Sequence, residues 1–568
     1  MRFINSNIKM IGLIALVIGS VSSCKQEDQL SVNENGVKPN IVFVGLTNTN
    51  AVSTGGQLIR YNANNINQIV GAAVSINPTN LQAGESILAI DYRPATGLLY
   101  GVSSQSRLYI LNPINGAARA VNANPFTPAI SGGIAGFDFN PTVDRIRLVT
   151  KTGQNLRLNP DDGTVVATDA NINGGTNAVL GEVAYTNNIS GATTTELFDV
   201  DFNSGRLYKQ DANPGTLTEV GLLGVPTTAV PTATFSAAYN TNITNARLGG
   251  FDIAPTGEAL AVFNNGATPA IPVGGIVAGP PANPASAVAA SVGTPTLFQI
   301  NLTTGKATDL GLIPFPIPAN GVAATALIGL AIAPAPVAYA ISEANGLMIF
   351  NLTKPEPITK PITGLQAGEN IVGLDMRPLT GQLYALGSTS RIYTINPASG
   401  AATAVTLLPF VPLLSGTSFG LDFNPVADAI RITSNTGQNL RFVVATGLNF
   451  ADGAINGGNV EQTAVAYSNN LVLPTSTSTV MYTINTKTDS LYRVNTPNSG
   501  TLTRVGKLRV GADASNGFDI GAVSGIGYAI LSVGTETKIY SINLSLGSAT
   551  QVGTFPSKVR AFTVGLGF

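Results

Sequence analysis

Residues 87–116, ILAIDYRPATGLLYGVSSQSRLYILNPING, align without a gap against residues 371–400, IVGLDMRPLTGQLYALGSTSRIYTINPASG, and agree at 15 of 30 positions. The offset is constant: Asp91 and Asp375, Phe139 and Phe423, and Gln154 and Gln438 each stand 284 residues apart. Inside each copy a shorter unit recurs at about 45 residues, a period that marks stacked supersecondary units. In residues 87–122 the unit reads Ile87–Tyr92, the turn Arg93-Pro94-Ala95-Thr96-Gly97, Leu98–Val102, Arg107–Leu111, the turn Asn112–Gly116, then Ala117–Val121. Proline presets φ in such turns and glycine supplies the positive φ that closes them. Four short strands joined by three turns make one propeller blade.

The inner-strand positions fall at Asp91, Asp138, Ala184, Asp252 and Ala331, then at Asp375, Asp422, Ala466, Asp519 and Thr563. Two long intervals in the first copy hold insertions at about 223–246 and 263–294, the second rich in Ala, Pro, Gly and Val. Ten units predict an all-β protein: two tandem five-bladed β-propellers, or alternatively one ring of ten. The ends of each copy favour two. Ile41–Val74 supplies only three outer strands, and the missing inner strand is Leu327–Pro334; Val337–Ile362 is completed likewise by Ala561–Phe568. Such pairing closes each circle and leaves no open sheet edge. The expected domains are 40–335 and 336–568. No sustained 3.6-residue period occurs after the leader, so helices should be scarce.

The start of the chain reads as an address. Arg2 and Lys9 precede the apolar run Met10–Val21, which is too short to span a bilayer and suits a signal peptide over residues 1–23. Val21-Ser22-Ser23-Cys24 resembles a bacterial lipobox, with cleavage between Ser23 and Cys24 and lipid on Cys24, the single cysteine. The plainer reading is an ordinary secretory signal followed by a stray cysteine. Lys25-Gln26-Glu27-Asp28 resembles the surface-export tag of lipoproteins from the Bacteroidetes group, and residues 24–39 read as a flexible tether. The expected location is the bacterial outer membrane or cell surface, with the membrane as partner through an N-terminal lipid.

Composition excludes more than it proposes. Thirty basic and 31 acidic residues leave a net charge of −1 with no basic patch, so no nucleic-acid partner is expected. Charged residues are 11% and hydrophobic ones 44%, with 62 glycines and 34 prolines, a balance suited to short strands and tight turns. Histidine is absent, which removes Ser-His-Asp and Cys-His catalysis and histidine-ligated metals. No phosphate-binding glycine loop is present, and no cofactor is expected. Any catalysis would rest on carboxylates, tyrosines, lysines or a calcium-type oxygen site.

Several strings occur in fixed order in both copies: GFDFNP (136–141) and GLDFNP (420–425), TGQNLR (152–157 and 436–441), and GFDI (250–253 and 517–520). With TGQLYALGSTSRIYTINPASGAAT (380–403) they resemble the bacterial domain-of-unknown-function 4394 family, twice over, across 41–335 and 336–568. The resemblance implies a propeller-like secreted or lipid-anchored protein and no established activity.

The sharpest chemical candidates are the inner-strand aspartates Asp91, Asp138 and Asp252, and Asp375, Asp422 and Asp519. Carboxylates gathered at a propeller axis could act as the acid and base of a glycoside hydrolase or lyase. Equally, each could accept backbone N–H groups as a repeated cap. Four arginine pairs, Arg93/Arg377, Arg107/Arg391, Arg147/Arg431 and Arg157/Arg441, could grip an acidic glycan or bind aspartates within the blades. TGQNLR reads as a binding loop or a turn, and Asn159-Pro160-Asp161-Asp162-Gly163 as a turn rather than a calcium loop. The favoured reading is a non-enzymatic binding or scaffold module for a glycan or protein partner.

Overall fold

The computed structural model describes residues 37–47, 56–132, 134–175, 178–202, 204–225, 249–264, 295–315, 326–457, 461–473 and 476–568. The leader, Cys24, most of the tether and nearly all of both insertions lie outside the described residues. Within them the protein is all-β, with two short 3-10 turns as its only helical elements. No described helix is long and apolar enough to cross a membrane.

The strands form ten sheets, nine of four strands and one of five. A typical sheet runs Ile87–Tyr92, Leu99–Ser103, Leu108–Leu111 and Ala118–Ala120 from inside to outside, each strand antiparallel to the next. The inner strands Ile87–Tyr92, Ile134–Asn140, Glu182–Tyr185, Gly249–Ile253 and Leu327–Ile332 pack side by side in a circle. A second circle holds Ile371–Met376, Phe419–Asn424, Gln462–Tyr467, Ala514–Ile520 and Val559–Val564. These are two propeller rings of five sheets, which sets aside the single ring of ten.

Each ring is fastened by its own two ends. Leu327–Ile332 pairs with Val42–Thr47, matching Val44 with Ala331, and the sheet continues through Gln57–Asn62 to Val74–Ser75. Val559–Val564 pairs in the same way with Ala338–Ser342, followed by Gly346–Asn351 and Lys354–Pro361. Pairing early strands with late ones protects what would otherwise be open edges.

The string GFDFNP explains itself once the sheets are in place. Phe137 and Phe139 face the preceding sheet, where the Phe139 ring meets Tyr100 edge-on at 5.2 Å; Phe423 meets Tyr384 in the same way at 5.1 Å. The alternate face carries glycine and aspartate toward the following sheet. A Cβ on Gly420 would sit 2.7 Å from the Val465 backbone nitrogen, and one on Gly250 would sit 2.5 Å from that of Leu330. Only glycine lets the inner strands come this close. Asn140 then closes the turn, its Oδ1 accepting the Thr142 N–H at 3.0 Å.

The rings also touch each other. Tyr339 of the second ring donates its hydroxyl to Ala95 O at 2.7 Å, and Asn112 of the first donates to Leu473 O at 2.6 Å. Leu98, Val472, Leu473 and Leu566 continue one buried apolar cluster between them.

Gly420→Ala tests the close approach. It should cost about 1–3 kcal/mol through overpacking, read as a lower urea midpoint. An unchanged midpoint would contradict the strand spacing.

Candidate functional site

The six inner-strand aspartates converge as two axial trios. Asp91, Asp138 and Asp252 each bring a carboxylate oxygen within 4.8 Å of the other two, and so do Asp375, Asp422 and Asp519. All six are sealed, at 1–3% exposure. Their hydrogen bonds share one logic: a carboxylate reaches across the blade boundary to the N–H that follows the equivalent position on the next inner strand. Asp91 accepts from Phe139 at 2.8 Å, Asp138 from Tyr185 at 3.1 Å and Asp252 from Ile332 at 2.6 Å. Asp375 accepts from Phe423 at 2.7 Å, Asp422 from Tyr467 at 3.0 Å and Asp519 from Val564 at 2.8 Å. Asp91, Asp252 and Asp519 also accept the N–H of their own successor. The cap therefore joins two blades and is more than a local turn.

Where the axial series lacks aspartate, the two rings diverge. Ala331 of the first ring is replaced by Thr563, whose hydroxyl lies 2.9 Å from Asp375 Oδ1 and 2.7 Å from Asp519 Oδ2. Glu182 of the first ring, two residues before Ala184, is buried and accepts the N–H groups of Val183 and Phe137. The second ring has Ala464 in that place.

Burial dominates the protonation of these groups. Loss of water raises every one of the six, and in most of them the neighbouring carboxylates raise it further. Asp252 is pushed up to about 7 and Asp519 to about 6, backbone N–H donors opposing the rise. Glu182 is raised by burial too. Asp199, on the second strand of the Glu182 sheet, is fully buried with neither oxygen paired among the described residues, and burial raises it well above the usual range.

The arginine pairs bind carboxylates, but not those of the axis. Arg93 forms a two-pronged contact with Asp144 in the next blade's turn and also meets Asp161 at 2.8 Å. Arg377 does the same with Asp428. Arg147 donates to Asp169, Asn155 and Asn213, and Arg431 repeats the set with Asp452, Asn439 and Asn498. Arg157 and Arg441 share those same two aspartates. Burial works to raise Asp452, but Arg441 and Arg431 outweigh it and hold the carboxyl below its ordinary value. Arg107 pairs with Glu85, whereas Arg391 donates to Thr389.

TGQNLR is a turn with bracing amides. Gln438 accepts Ser415 N–H and donates to Leu413 O, while Asn439 donates to Gly453 O and Pro497 O. Asn159–Gly163 is a turn closed by Gly163 N–H on Asn159 O.

Residues 57–323 and 346–564 match the family described as Domain of unknown function (DUF4394). The chain belongs to the DUF4394 family. No curated protein matches it. Among solved structures it is similar to a nidogen/laminin complex at 11% identity, covering 48% of this chain and 95% of that one, with a TM-score of 0.27. A putative TolB from Agrobacterium tumefaciens matches at 11% identity over 40% and 86%, also at 0.27. A Bacteroides thetaiotaomicron protein of unknown function matches at 13% over 46% and 70%, again at 0.27. The family places two DUF4394 copies where the two rings stand.

Two predictions follow from the charges. Arg431→Ala should leave Asp452 to Arg441 alone and take the donor from the buried Asn439 Oδ1, costing about 1–3 kcal/mol in chemical denaturation. Arg431→Lys should recover little of it, because the guanidinium divides its donors among four acceptors, Tyr467, Asn439, Asp452 and Asn498. Asp252 titrates at about 7 when folded against an ordinary 3.8. The folded state thus holds the extra proton, so stability falls as pH rises from about 4 to 7. In EDTA, the melting temperature of the wild type should drop from pH 5 to pH 8 by more than that of Asp252→Asn. Equal slopes would contradict it.

Proposed function

We propose that this protein is a non-enzymatic binding module, tethered to the cell envelope by lipid on Cys24, which engages a protein partner through the rim of its second ring. The observation that carries the reading is the loop 407–414. Leu407, Leu408, Val411 and Leu413 are 94%, 75%, 71% and 58% exposed. Apolar side chains displayed together at this level mark interaction surfaces.

The loop is built to hold that display. Phe410 is buried beneath it, the Phe410 N–H donates to Ser390 O at 2.8 Å, and the Leu414 N–H donates to Ser390 Oγ at 2.9 Å. The first ring keeps the same frame, with Phe126 and Ile130 donating to Ser106. At the matching positions it carries Ala123, Asn124, Thr127 and Ala129. Ring two is apolar where an equally braced loop in ring one is small or polar, so the fold itself does not require those side chains.

The rival reading, a carboxylate-dependent glycoside hydrolase or lyase, needs a sugar ring beside the axial aspartates. Their sealing at 1–3% exposure and their engagement with backbone donors argue against it. The surface-export address rests on the sequence pattern and stands as part of the proposal.

The test is an exchange of loop side chains: Leu407→Ala, Leu408→Asn, Val411→Thr and Leu413→Ala together. The unfolding free energy should shift by no more than the scatter of exposed substitutions, about ±0.5 kcal/mol each, while retention of partner from envelope fractions is lost. Retention by both forms, or by neither, sinks the assignment. Glycoside turnover by wild type that disappears in Asp422→Asn would favour the hydrolase.

A further inference from the structure

We propose that Asp375, Asp422 and Asp519 of the second ring bind one oxygen-preferring divalent cation of calcium type on the propeller axis.

Three observations carry this. First, the three carboxylates each present an oxygen within 4.8 Å of the others, in a site at 1–3% exposure. Calcium takes oxygen ligands at about 2.3–2.6 Å, so two oxygens on one ion stand at most about 5 Å apart. The smaller magnesium requires a tighter octahedron, and metals that prefer nitrogen or sulfur find neither histidine nor cysteine among these residues. Second, Asp422 uses only Oδ1, on the Tyr467 N–H; its Oδ2 is buried with no partner among the described residues. An unpaired carboxylate oxygen in a dry interior costs free energy unless something positive meets it. Third, Thr563 places one hydroxyl between Asp375 Oδ1 and Asp519 Oδ2. A hydroxyl has a single proton for these two oxygens, of which Asp519 Oδ2 also takes the Val564 N–H, and none is left for Asp422 Oδ2. No arginine or lysine among the described residues forms an ion pair with any of the trio. The cluster has more acceptors than donors, and a cation resolves the imbalance.

Two residues before each axial position, the second ring carries Gly373, Gly420, Ala464, Gly517 and Ala561, which line a constriction of about 10 Å³. The first ring sets Glu182 at the corresponding layer, turned onto backbone N–H groups. The proposal therefore concerns the second ring.

The experiment is to unfold the full chain in denaturant with EDTA, refold it with calcium, and count bound metal after gel filtration. Wild type should carry one calcium per chain more than Asp422→Asn, and adding calcium to metal-free wild type should raise its melting temperature. Equal calcium in the two proteins would overturn the proposal, as would retention of magnesium or zinc in calcium's place. If Asp422→Asn does not refold, wild type decides alone: no calcium retained, or a melting temperature indifferent to calcium, overturns it.

Discussion

The structure depends on a carboxylate that belongs to one blade and a backbone N–H that belongs to the next. The inner strands of neighbouring sheets share no hydrogen-bond ladder; isolated backbone bonds such as Ala307 N–H on Leu223 O link outer strands, and side chains make the remaining contact across a blade boundary. Apolar clusters supply the bulk of that contact, as where Val44 and Leu58 of one sheet meet Ile90 and Tyr109 of the next. They do not fix the angle or height at which inner strands meet. Asp91 on Phe139 and Asp375 on Phe423 do, because a short charged acceptor tolerates little displacement. The cost is a knot of negative charge at each axis, which burial makes severe.

That cost organises the rest of the site. Protons at low pH and a cation at neutral pH are two ways of meeting the same deficit. The glycine two residues before five of the six aspartates permits the approach (Ala89 holds that place before Asp91), and Thr563 spans the gap in the second ring that Ala331 leaves open in the first. A group so committed is poorly placed for catalysis, since exposing it to substrate would undo the contact that holds two blades together. On the proposed reading recognition falls to the rim, where loops differ between copies.

Much of this was legible in the sequence. The 284-residue offset, the inner-strand positions and the pairing of each copy's two ends all follow from spacing and turn chemistry, and the sheets repeat them. The aspartates stood out because they recur in register. What escaped were groups that do not recur. Glu182 and Asp199 face Ala464 and Thr483 at the corresponding places of the second copy, so no repeated pattern flags them. Arginine partners were equally opaque: Arg93 meets Asp144 and Arg147 meets Asn213 across blade boundaries, contacts that only closure of the ring creates. The exposed leucines of 407–414 carry no motif that marks them; Ser390 and Gln438 pin the loop through the Leu414 N–H and the Leu413 carbonyl.

Amide hydrogen exchange tests the stitch most directly. The account predicts that the N–H groups of Phe423, Tyr467 and Val564 exchange only through global unfolding, and that Asp422→Ala selectively speeds Tyr467. Exchange of those three at the rate of exposed turns, or no change at Tyr467 in the variant, would contradict it.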